Sequence, residues 1–402
     1  MGVGAFNETP LRRGRVISPI LIRSGTISMG IFLAIVLIEI GGRLLGIFIE
    51  PPPWWLDLQT RVQDLYRPGE RYVMKSDEWD SVRQANSRGL VDVEHDLAAR
   101  PNTYRILFLG DSFVSGERIG LEQTFVRRVN RQSTVLEALG REKLSLETIN
   151  AGIGGTGTGE QYIYYQAEGR NYCPDLVILV FYLGNDVINN AFELNGSNPN
   201  NVKRPYFEVG TRGELIERCR PRHTLERALY LRTFFWRIVG GELRQLSRLW
   251  SERGSGPQRP TEAQVTVWDR MYMEGMYPEL ENAYKITAAI LDHLKKSTRS
   301  DGAEFLVALM PTKEQAEDRE GERKKGFTPL LPNQRMAEIL NGLRIPFLDL
   351  TPLLREEWEK TGRSPYFETD MHLNACGNQR VADEIARWLS MIQPWNKRNR
   401  FN

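Results

Sequence analysis

The sequence predicts a three-layer α/β fold with a mostly parallel five-stranded sheet, preceded by an N-terminal transmembrane helix. Two observations lead to this prediction: short apolar runs alternate with segments of helical spacing, and one long apolar stretch lies near the N-terminus. Runs that are continuously apolar are typical of strands buried on both faces of a parallel sheet. The five predicted strands are "YRILFLG" at 104–110, "LETINAG" at 146–152, "DLVILVFYLGND" at 175–186, "EFLVALMP" at 304–311 and "IPFLDL" at 345–350.

Composition excludes several classes of function. The chain has 402 residues, 41% of them hydrophobic, and a formal net charge of +2, so bulk charge gives no nucleic-acid signal. Its three cysteines, Cys173, Cys219 and Cys376, are too few and too far apart for a disulfide framework or a zinc knuckle. One cysteine pair and free thiols both stay open. No metal is predicted.

The apolar stretch covers residues 26–49 and is long enough to span a bilayer. Its two charged residues, Glu39 and Arg43, are four positions apart and can pair on one helix face. Interface-type tryptophans follow at 54 and 55, and four arginines precede the stretch: Arg12, Arg13, Arg15 and Arg23. We expect an uncleaved anchor, with residues 1–25 in the cytoplasm and the rest outside. A buried core helix and a cleaved signal peptide are the alternatives.

The remaining chain is expected to fold mainly as one domain. Residues 50–100 are interpreted as a stalk and lead-in subdomain, 101–392 as the α/β domain, and 393–402 as a basic tail. An insertion interrupts the alternation at about 190–270. It contains an amphipathic stretch at 224–250, which we expect to pack against the sheet, with a membrane-facing or partner-facing helix as the alternative.

Polar residues follow three of the predicted strands. Ser112 comes after the first strand in "GDSF", Gly155 after the second in "NAGIGG", and Asn185 after the third in "GND". Asp370 and His372 come just before the last helix in "DMHLN". Ligands of an open parallel sheet bind beyond the carboxyl ends of its strands. The sequence therefore predicts one site that collects these residues.

These residue types suit acyl transfer to a serine. A serine hydroxyl needs a base within hydrogen-bond reach, a group that orients the base, and donors for the oxyanion. His372 is the candidate base, and Asp370 is the candidate group that fixes its tautomer. The backbone N–H of Gly155 and the side-chain amide of Asn185 are candidate oxyanion donors.

The ordered set resembles the SGNH (GDSL-type) hydrolase superfamily, over roughly residues 104–190 and 300–392. Its Ser, Gly, Asn and His blocks match "GDSF", "NAGIGG", "GND" and "DMHLN". The resemblance implies a flavodoxin-like fold with Ser112 as nucleophile and His372 as base. It implies an oxyanion hole made of the Ser112 N–H, the Gly155 N–H and Asn185. The acids beside these blocks, Asp111 and Asp186, are expected to support the site.

Further motifs are similar to one branch of the superfamily. "NSRGL" at 86–90, "MPTKEQ" at 310–315 and the single anchor resemble bacterial membrane-anchored members, near the enzymes that add or remove acetyl groups on cell-surface polysaccharides. The sequence departs from the common pattern twice. Asp370 lies two residues before the histidine, where Thr369 holds the usual third position, and Leu183 replaces a glycine. The shorter spacing occurs in the acetyltransferase-like branch, and Glu368 is a less favoured orienting group.

The resemblance implies an extracytoplasmic serine esterase that hydrolyses or transfers O-acyl groups through a Ser112 acyl-enzyme. The expected substrate is a carbohydrate or lipid-like ester, or another small-molecule ester. No cofactor and no nucleic-acid partner are expected. The domain is expected on the periplasmic side of the inner or plasma membrane, held by the single-pass anchor. The alternatives are an O-acetyltransferase acting on cell-surface polysaccharide and a non-catalytic domain that binds glycan or forms a scaffold.

Two other patterns have simpler interpretations. Gly152, Gly154 and Gly157 formally fit a dinucleotide-binding fingerprint, but their strand is the second of the series and no suitably placed acid follows. The remaining histidines lie in polar loops or on a helix, where a solvated side chain is expected: His95, His223 and His293.

Overall fold

The structure is a computed structural model that describes residues 19–44, 58, 61–62, 65–98, 100–132, 135, 144–195, 204–218, 266–275, 277–317 and 326–392. The chain divides into two units, one of which contains residues 1–52 and 225–259 and the other the rest. The predicted amphipathic stretch at 224–250, His223, Cys219 and the basic tail lie outside the described residues.

Nine strands are assigned in the described part of the chain. They are β1 (Arg71–Lys75), β2 (Asp80–Gln84), β3 (Thr103–Gly110), β4 (Ser145–Gly152), β5 (Leu176–Tyr182), β6 (Tyr206–Val209), β7 (Leu215–Arg218), β8 (Glu304–Met310) and β9 (Phe347–Asp349).

The α-helices assigned in the same residues are α1 (Pro19–Leu44), α2 (Ser112–Ser115), α3 (Phe125–Asn130), α4 (Thr158–Ala167), α5 (Asp186–Asn190), α6 (Phe192–Asn195), α7 (Val267–Arg270), α8 (Pro278–Ser300), α9 (Lys313–Glu317), α10 (Leu331–Gly342), α11 (Thr351–Thr361) and α12 (Ala375–Met391).

The central sheet has five parallel strands in the order β4-β3-β5-β8-β9, which confirms the predicted parallel sheet. Counted along the chain, this order is 2-1-3-4-5, the flavodoxin-like arrangement. All seven residues of β5 are buried, as expected for a central strand with helices on both faces. The strand order places the carboxyl ends of β3, β4 and β5 side by side.

Two apolar clusters, one on each face of the sheet, make the fold three-layered. Leu107 and Leu109 of β3 belong to one cluster together with residues of α4, α8 and α10. Ile106 and Phe108 belong to the other, together with residues of α3, α11 and α12. This alternation follows from the two-residue period of a strand. Truncating a fully buried ring such as that of Phe108 costs about 3–5 kcal/mol.

Two antiparallel hairpins lie outside the sheet. The pair β6–β7 begins in the segment "YFEVGTRGELI" of the insertion. The pair β1–β2, residues 71–84, lies within the stretch interpreted from sequence as stalk and lead-in subdomain. Its strands alternate between exposed and more buried residues, so one face packs against the protein.

Helix α1 begins at Pro19, seven residues before the predicted start of the anchor, and ends at Leu44. Residues 45–49 of the predicted anchor lie outside the described residues. Within the described part of the chain, no helix is both long and apolar enough to cross a membrane, so the predicted span is unsupported.

His95 is not the solvated loop residue that the sequence predicts. Only 3% of its side chain is exposed, and its ring contacts Glu147 at 2.7 Å and Asp92 at 2.9 Å. Arg105, which is fully buried, donates to the other oxygen of Glu147 at 2.7 Å. The prediction was wrong because Glu147 is 52 positions away in sequence, and Asp92, three residues before His95, belongs to no motif that indicates a buried pair.

Candidate active site

Ser112 lies at the turn from β3 into the single-turn helix α2. Asp111 caps this helix, because its side chain accepts a hydrogen bond from the N–H of Phe113 at 2.9 Å. A Cβ atom on Gly152 would lie 2.1 Å from the backbone nitrogen of Ser115. Glycine at the end of β4 therefore permits α2 to approach the sheet, which places Ser112 at its carboxyl edge.

His372 contacts the nucleophile candidate directly. Its Nε2 lies 2.7 Å from the Oγ of Ser112, although the two residues are 260 positions apart. Its Nδ1 hydrogen-bonds the Oδ1 of Asp370, which also accepts the backbone N–H of His372 at 2.8 Å. Although Asp370 lies only two residues before His372, the turn between them brings the carboxylate back to the imidazole ring. The arrangement leaves Nε2 as the proton acceptor for the serine hydroxyl.

A positive charge lies on the far side of Asp370. The Nε of Arg118 donates to Oδ2 of Asp370 at 2.9 Å, and its NH1 lies 3.5 Å from the Nε2 of His372. Burial alone would raise the pKa of Asp370, but the hydrogen bonds and charge of His372 and the charge of Arg118 outweigh it. They lower the pKa of Asp370 to about 2, so this carboxylate is ionised at neutral pH.

An aromatic ring packs against the histidine and is itself packed by a second ring. The Phe113 ring lies 5.1 Å from the His372 ring and 4.5 Å from the Tyr182 ring, measured between centroids. The Tyr182 hydroxyl donates to the Sδ of Met371 at 3.7 Å, and Met371 is 53% exposed. Met371 therefore offers an apolar contact at the rim of the site.

The Gly155 backbone is exposed beyond β4 and has a φ of 71°, which glycine adopts without strain. Its carbonyl accepts a hydrogen bond from NH2 of Arg204 at 2.6 Å. Arg204 forms a buried ion pair with Glu160 at 2.7 Å, and Glu160 accepts the N–H of Gly157 at 3.1 Å. This buried pair fixes the loop that carries the Gly155 N–H.

Asn185 is the N-cap residue of α5, yet its side chain makes no capping hydrogen bond. Its Oδ1 is buried and has no hydrogen-bond partner among the described residues. The side-chain amide of Asn185 is thus not used to hold its own helix.

Leu183, the departure from the usual glycine, is fully buried in the core, and its N–H donates to the Met310 carbonyl at 3.0 Å. The leucine extends the strand pairing and does not occupy the loop at Asn185.

Asp111 and Asp186 are both buried beside the site. Burial raises the pKa of Asp111 to about 6. Burial first, and the charge of Asp111 second, raise the pKa of Asp186 well above its usual range. Asp186 accepts the N–H of Tyr182 at 3.0 Å, so it ties the end of β5 to the start of α5. In the structure, both acids hold the turns that carry Ser112 and Asn185.

The glycines of the formal dinucleotide fingerprint are explained by packing. A Cβ atom on Gly154 would lie 1.9 Å from Oε1 of Glu117, and one on Gly157 would lie 2.6 Å from the Cβ of Asn189. A carboxylate against this loop would also repel a pyrophosphate. The structure therefore gives no support to nucleotide binding here.

Sequence reasoning did not identify three residues near the site. Arg118 lies in a polar segment after α2, and Glu78 and Trp79 lie at the tip of the β1–β2 hairpin. Their contacts with the His372 loop join parts of the chain more than 250 positions apart. No local spacing or motif marks them.

The fold and the geometry of this site are similar to those of SGNH hydrolase-like proteins, a class that hydrolyses ester bonds or transfers acyl groups. Residues 272–399 match the family model described as "SGNH hydrolase-like domain, acetyltransferase AlgX". This match confirms the resemblance predicted from the motifs, including its acetyltransferase branch. The matched residues include Asp370 and His372 but not Ser112.

Among curated proteins, none matches the sequence. Solved structures with similar folds include the acetyl xylan esterase AlAXEase, at 14% identity and a TM-score of 0.38, covering 72% of this chain and 100% of that one. A variant of the acetyl-xylooligosaccharide esterase Axe2 from Geobacillus Stearmophilus is 15% identical, with a TM-score of 0.38 and coverage of 71% and 94%. A GDSL-like lipase from Bacteroides thetaiotaomicron is 11% identical, with a TM-score of 0.31 and coverage of 71% and 88%. At TM-scores this low, none of these likenesses carries an argument about this chain.

Proposed function

We propose that this protein is a serine esterase or O-acyltransferase that works through an acyl-enzyme on Ser112. The observation that carries the proposal is the 2.7 Å contact between Ser112 Oγ and His372 Nε2, with Asp370 on the opposite nitrogen. A nucleophile, a base and an orienting acid in line are what acyl transfer to serine requires. The same contact favours a catalytic domain over a non-catalytic one that binds glycan or forms a scaffold.

The steps follow from the positions of the groups. Ser112 Oγ attacks the ester carbonyl carbon while His372 Nε2 takes its proton, and Asp370 stabilises the imidazolium that forms. The oxyanion is stabilised by the N–H groups of Ser112 and Gly155 and by the amide of Asn185. The tetrahedral intermediate collapses, the ester C–O bond breaks, and His372 returns the proton to the leaving alcohol.

The acyl group then passes to a second oxygen nucleophile. His372 removes a proton from that nucleophile, the new C–O bond forms, and Ser112 is released with its proton restored. Water as nucleophile makes the protein an esterase, and a sugar hydroxyl makes it an O-acyltransferase. The family match to an acetyltransferase supports the second outcome and an acetyl group as the acyl unit. We propose a carbohydrate as the ester or acceptor.

An activated aryl acetate tests the acyl-enzyme. We expect the full chain to release the aryl alcohol and Ser112→Ala to lose at least about 10³-fold in rate. A serine-directed fluorophosphonate should label Ser112 in the wild type, as read from peptide masses. Ser87→Ala is the control, since its hydroxyl contacts Glu94 on the surface. A wild type that neither turns over nor takes the label would refute the proposal.

An acceptor competition separates the two chemistries. With a neutral oligosaccharide present, a transferase forms an acetylated oligosaccharide at the expense of free acetate, and mass spectrometry detects it. An esterase yields free acetate alone, whatever the oligosaccharide concentration. The Ser112→Ala variant, run in parallel, reports any spontaneous transfer.

We also propose that the N-terminal segment holds the domain at the outer face of the inner or plasma membrane. Several apolar side chains of α1 are more than half exposed, including Ile27, Phe32 and Leu37, and arginines precede them. Cys173 is exposed in the α/β unit and can report its side. In a variant with Cys219→Ser and Cys376→Ser, an impermeant maleimide should label Cys173 in intact spheroplasts. Labelling only after lysis would contradict this location.

A further inference from the structure

The β1–β2 hairpin contacts both segments that carry the reacting groups. We call residues 111–119 the nucleophile segment, because it begins at the capped turn of Ser112. We call residues 364–374 the base loop, because it carries Asp370 and His372. The two segments are far apart in sequence, and the hairpin belongs to neither.

The tip of the hairpin holds the base loop. The carboxylate of Glu78 accepts the backbone N–H of Glu368 at 2.6 Å and that of Thr369 at 2.7 Å, and it also accepts the Thr369 hydroxyl. The ring of Trp79 packs on Phe367 with 5.0 Å between centroids. Charge-assisted hydrogen bonds to adjacent amides fix both the position and the direction of a peptide.

The second strand of the hairpin holds the nucleophile segment. Arg83 is almost fully buried and donates to the carbonyls of Ser115 at 3.0 Å and Ile119 at 2.8 Å. The hydroxyl of Ser81 also donates to the Ile119 carbonyl, at 3.1 Å. Since Ser81 and Arg83 follow Glu78 within a few residues, one short element connects both segments.

The Trp79 ring also contacts the guanidinium of Arg118, the residue that hydrogen-bonds Asp370. The guanidinium carbon of Arg118 lies 5.6 Å from the Trp79 ring centroid, within the range of a cation–π contact. The same guanidinium donates to Asp370 at 2.9 Å. Trp79 therefore restrains the arginine that orients Asp370.

The base loop is also held by a lysine. The Nζ of Lys313 donates to the carbonyls of Phe367 and Glu368, both at 2.7 Å. The Lys313 cation therefore holds the two carbonyls, and the Glu78 carboxylate holds the amides of Glu368 and Thr369. The Lys313 contacts belong to the α/β domain itself, whereas the Glu78 contacts come from the hairpin alone.

We infer that Glu78 and Trp79 are positioning residues that set the separation of Ser112 and His372 by tying the base loop to the nucleophile segment. The inference rests on the proposed function, because its consequence is the reactivity of Ser112. Acyl transfer depends steeply on alignment, and a displacement of about 1 Å can cost about 10²-fold in rate. Loss of one of several restraints should cost less, about tenfold.

Two readouts test the hairpin in the full-length protein carrying Glu78→Gln. Hydrogen exchange should become faster at the amides of Glu368 and Thr369, and the rate constant for phosphonate labelling of Ser112 should fall about tenfold. The loss in turnover should appear in kcat with little change in KM. Asp80→Asn is the matched control, since Asp80 lies two residues away in an exposed pair with Lys75. It should change neither readout.

Trp79→Leu provides a second route to the same outcome, since it removes the ring contacts with Phe367 and Arg118 without touching the Glu78 hydrogen bonds. It too should slow labelling of Ser112. Faster exchange in Glu78→Gln with unchanged labelling would show a merely structural hairpin and overturn the inference. A wild type that resists the label, with exchange still responding to Glu78→Gln, would instead refute the proposed function and the inference with it.

Discussion

Arg118 donates a hydrogen bond from Nε to the Oδ2 of Asp370 at 2.9 Å, on the oxygen opposite the one that His372 contacts. Each oxygen of the carboxylate thus has its own cationic or N–H partner. This division holds the carboxylate plane so that Oδ1 faces the imidazole. Arg118 is therefore a positioning residue for Asp370, and it also lowers the pKa of that acid.

Arg118→Met should reduce kcat about tenfold with little change in KM, because Asp370 loses its fixed orientation. Arg118→Lys should recover part of the loss, since lysine restores the charge but not the directed Nε donor. Steady-state kinetics on an aryl acetate measures both. Arg100→Met is the control, because Arg100 forms an exposed pair with Asp96. Equal activity of Arg118→Met and Arg100→Met would contradict this role.

Asp370→Asn should lower kcat by about 10³- to 10⁴-fold, because an amide favours the wrong imidazole tautomer. The pKa of Asp370 is lowered to about 2, so the wild-type carboxylate is ionised throughout pH 5 to 8. The loss should accordingly be similar across that range. Glu368→Gln tests the less favoured orienting group and should keep near-normal activity. Activity that survives in Asp370→Asn and disappears in Glu368→Gln would reverse the assignment.

Asn185→Ala should lower kcat by about 10²- to 10³-fold, as expected for loss of one oxyanion donor. Its thermal unfolding should change little, because the side chain makes no capping bond in α5. Kinetics and a melting curve on the same sample separate the two effects. Asn171→Ala, on an exposed asparagine that bonds the Ala167 carbonyl, provides the comparison. A large drop in stability with normal kcat would mean that Asn185 is structural.

Strand and motif positions were accessible from sequence because their causes are local. A continuous apolar run such as Leu176–Tyr182 predicts a buried parallel strand wherever it lies. Ser112, Gly155 and Asn185 each follow a predicted strand of the parallel sheet, so their meeting at one sheet edge follows from topology. The spacing of Asp370 and His372 within one loop is also local.

The contacts of the hairpin could not be predicted in the same way. Strands β1 and β2 are short and rich in charge, and nothing in them indicates a partner. Glu78 meets Glu368 across 290 positions, and His95 meets Glu147 across 52. Such pairings depend on how the finished sheet brings segments together. A charged side chain in a polar segment is ordinarily solvated, which is why the sequence predicts a solvated His95.

Arg204→Met should affect both stability and catalysis. It removes the buried cation that pairs with the Glu160 carboxylate, which costs about 3–5 kcal/mol, and it frees the Gly155 carbonyl. The double variant Arg204→Met/Glu160→Gln also removes the Glu160 charge and should regain most of the stability. Its kcat should stay low, because the Gly155 loop is still unrestrained. Denaturant unfolding and kinetics distinguish these effects, and full recovery of kcat in the double variant would contradict a role in positioning Gly155.

The buried His95 should make stability depend on pH. Burial alone would lower its pKa, but hydrogen bonds and charges from Asp92 and Glu147 outweigh it and raise the pKa to about 9. A raised pKa means that the folded state binds the proton more tightly than the unfolded state does. The stabilisation is fully present below the ordinary value of 6.5 and is lost as pH rises through about 9. At the acid end, the pKa of Glu147 is lowered to about 2, against the effect of burial. The stabilisation from this carboxylate is therefore lost as pH falls from the ordinary value of 4.5 through 2.

His95→Gln should therefore destabilise the protein near pH 6 and much less above pH 9. The difference in unfolding free energy from wild type should shrink by up to about 3 kcal/mol over that interval. Denaturant titrations at a series of pH values measure it. His293→Gln is the matched control, since it replaces a half-buried imidazole that bonds the Ala289 carbonyl and leaves the contacts of His95 intact. If His95→Gln and wild type lose stability in parallel from pH 6 to 10, the buried imidazolium is not the source of that dependence.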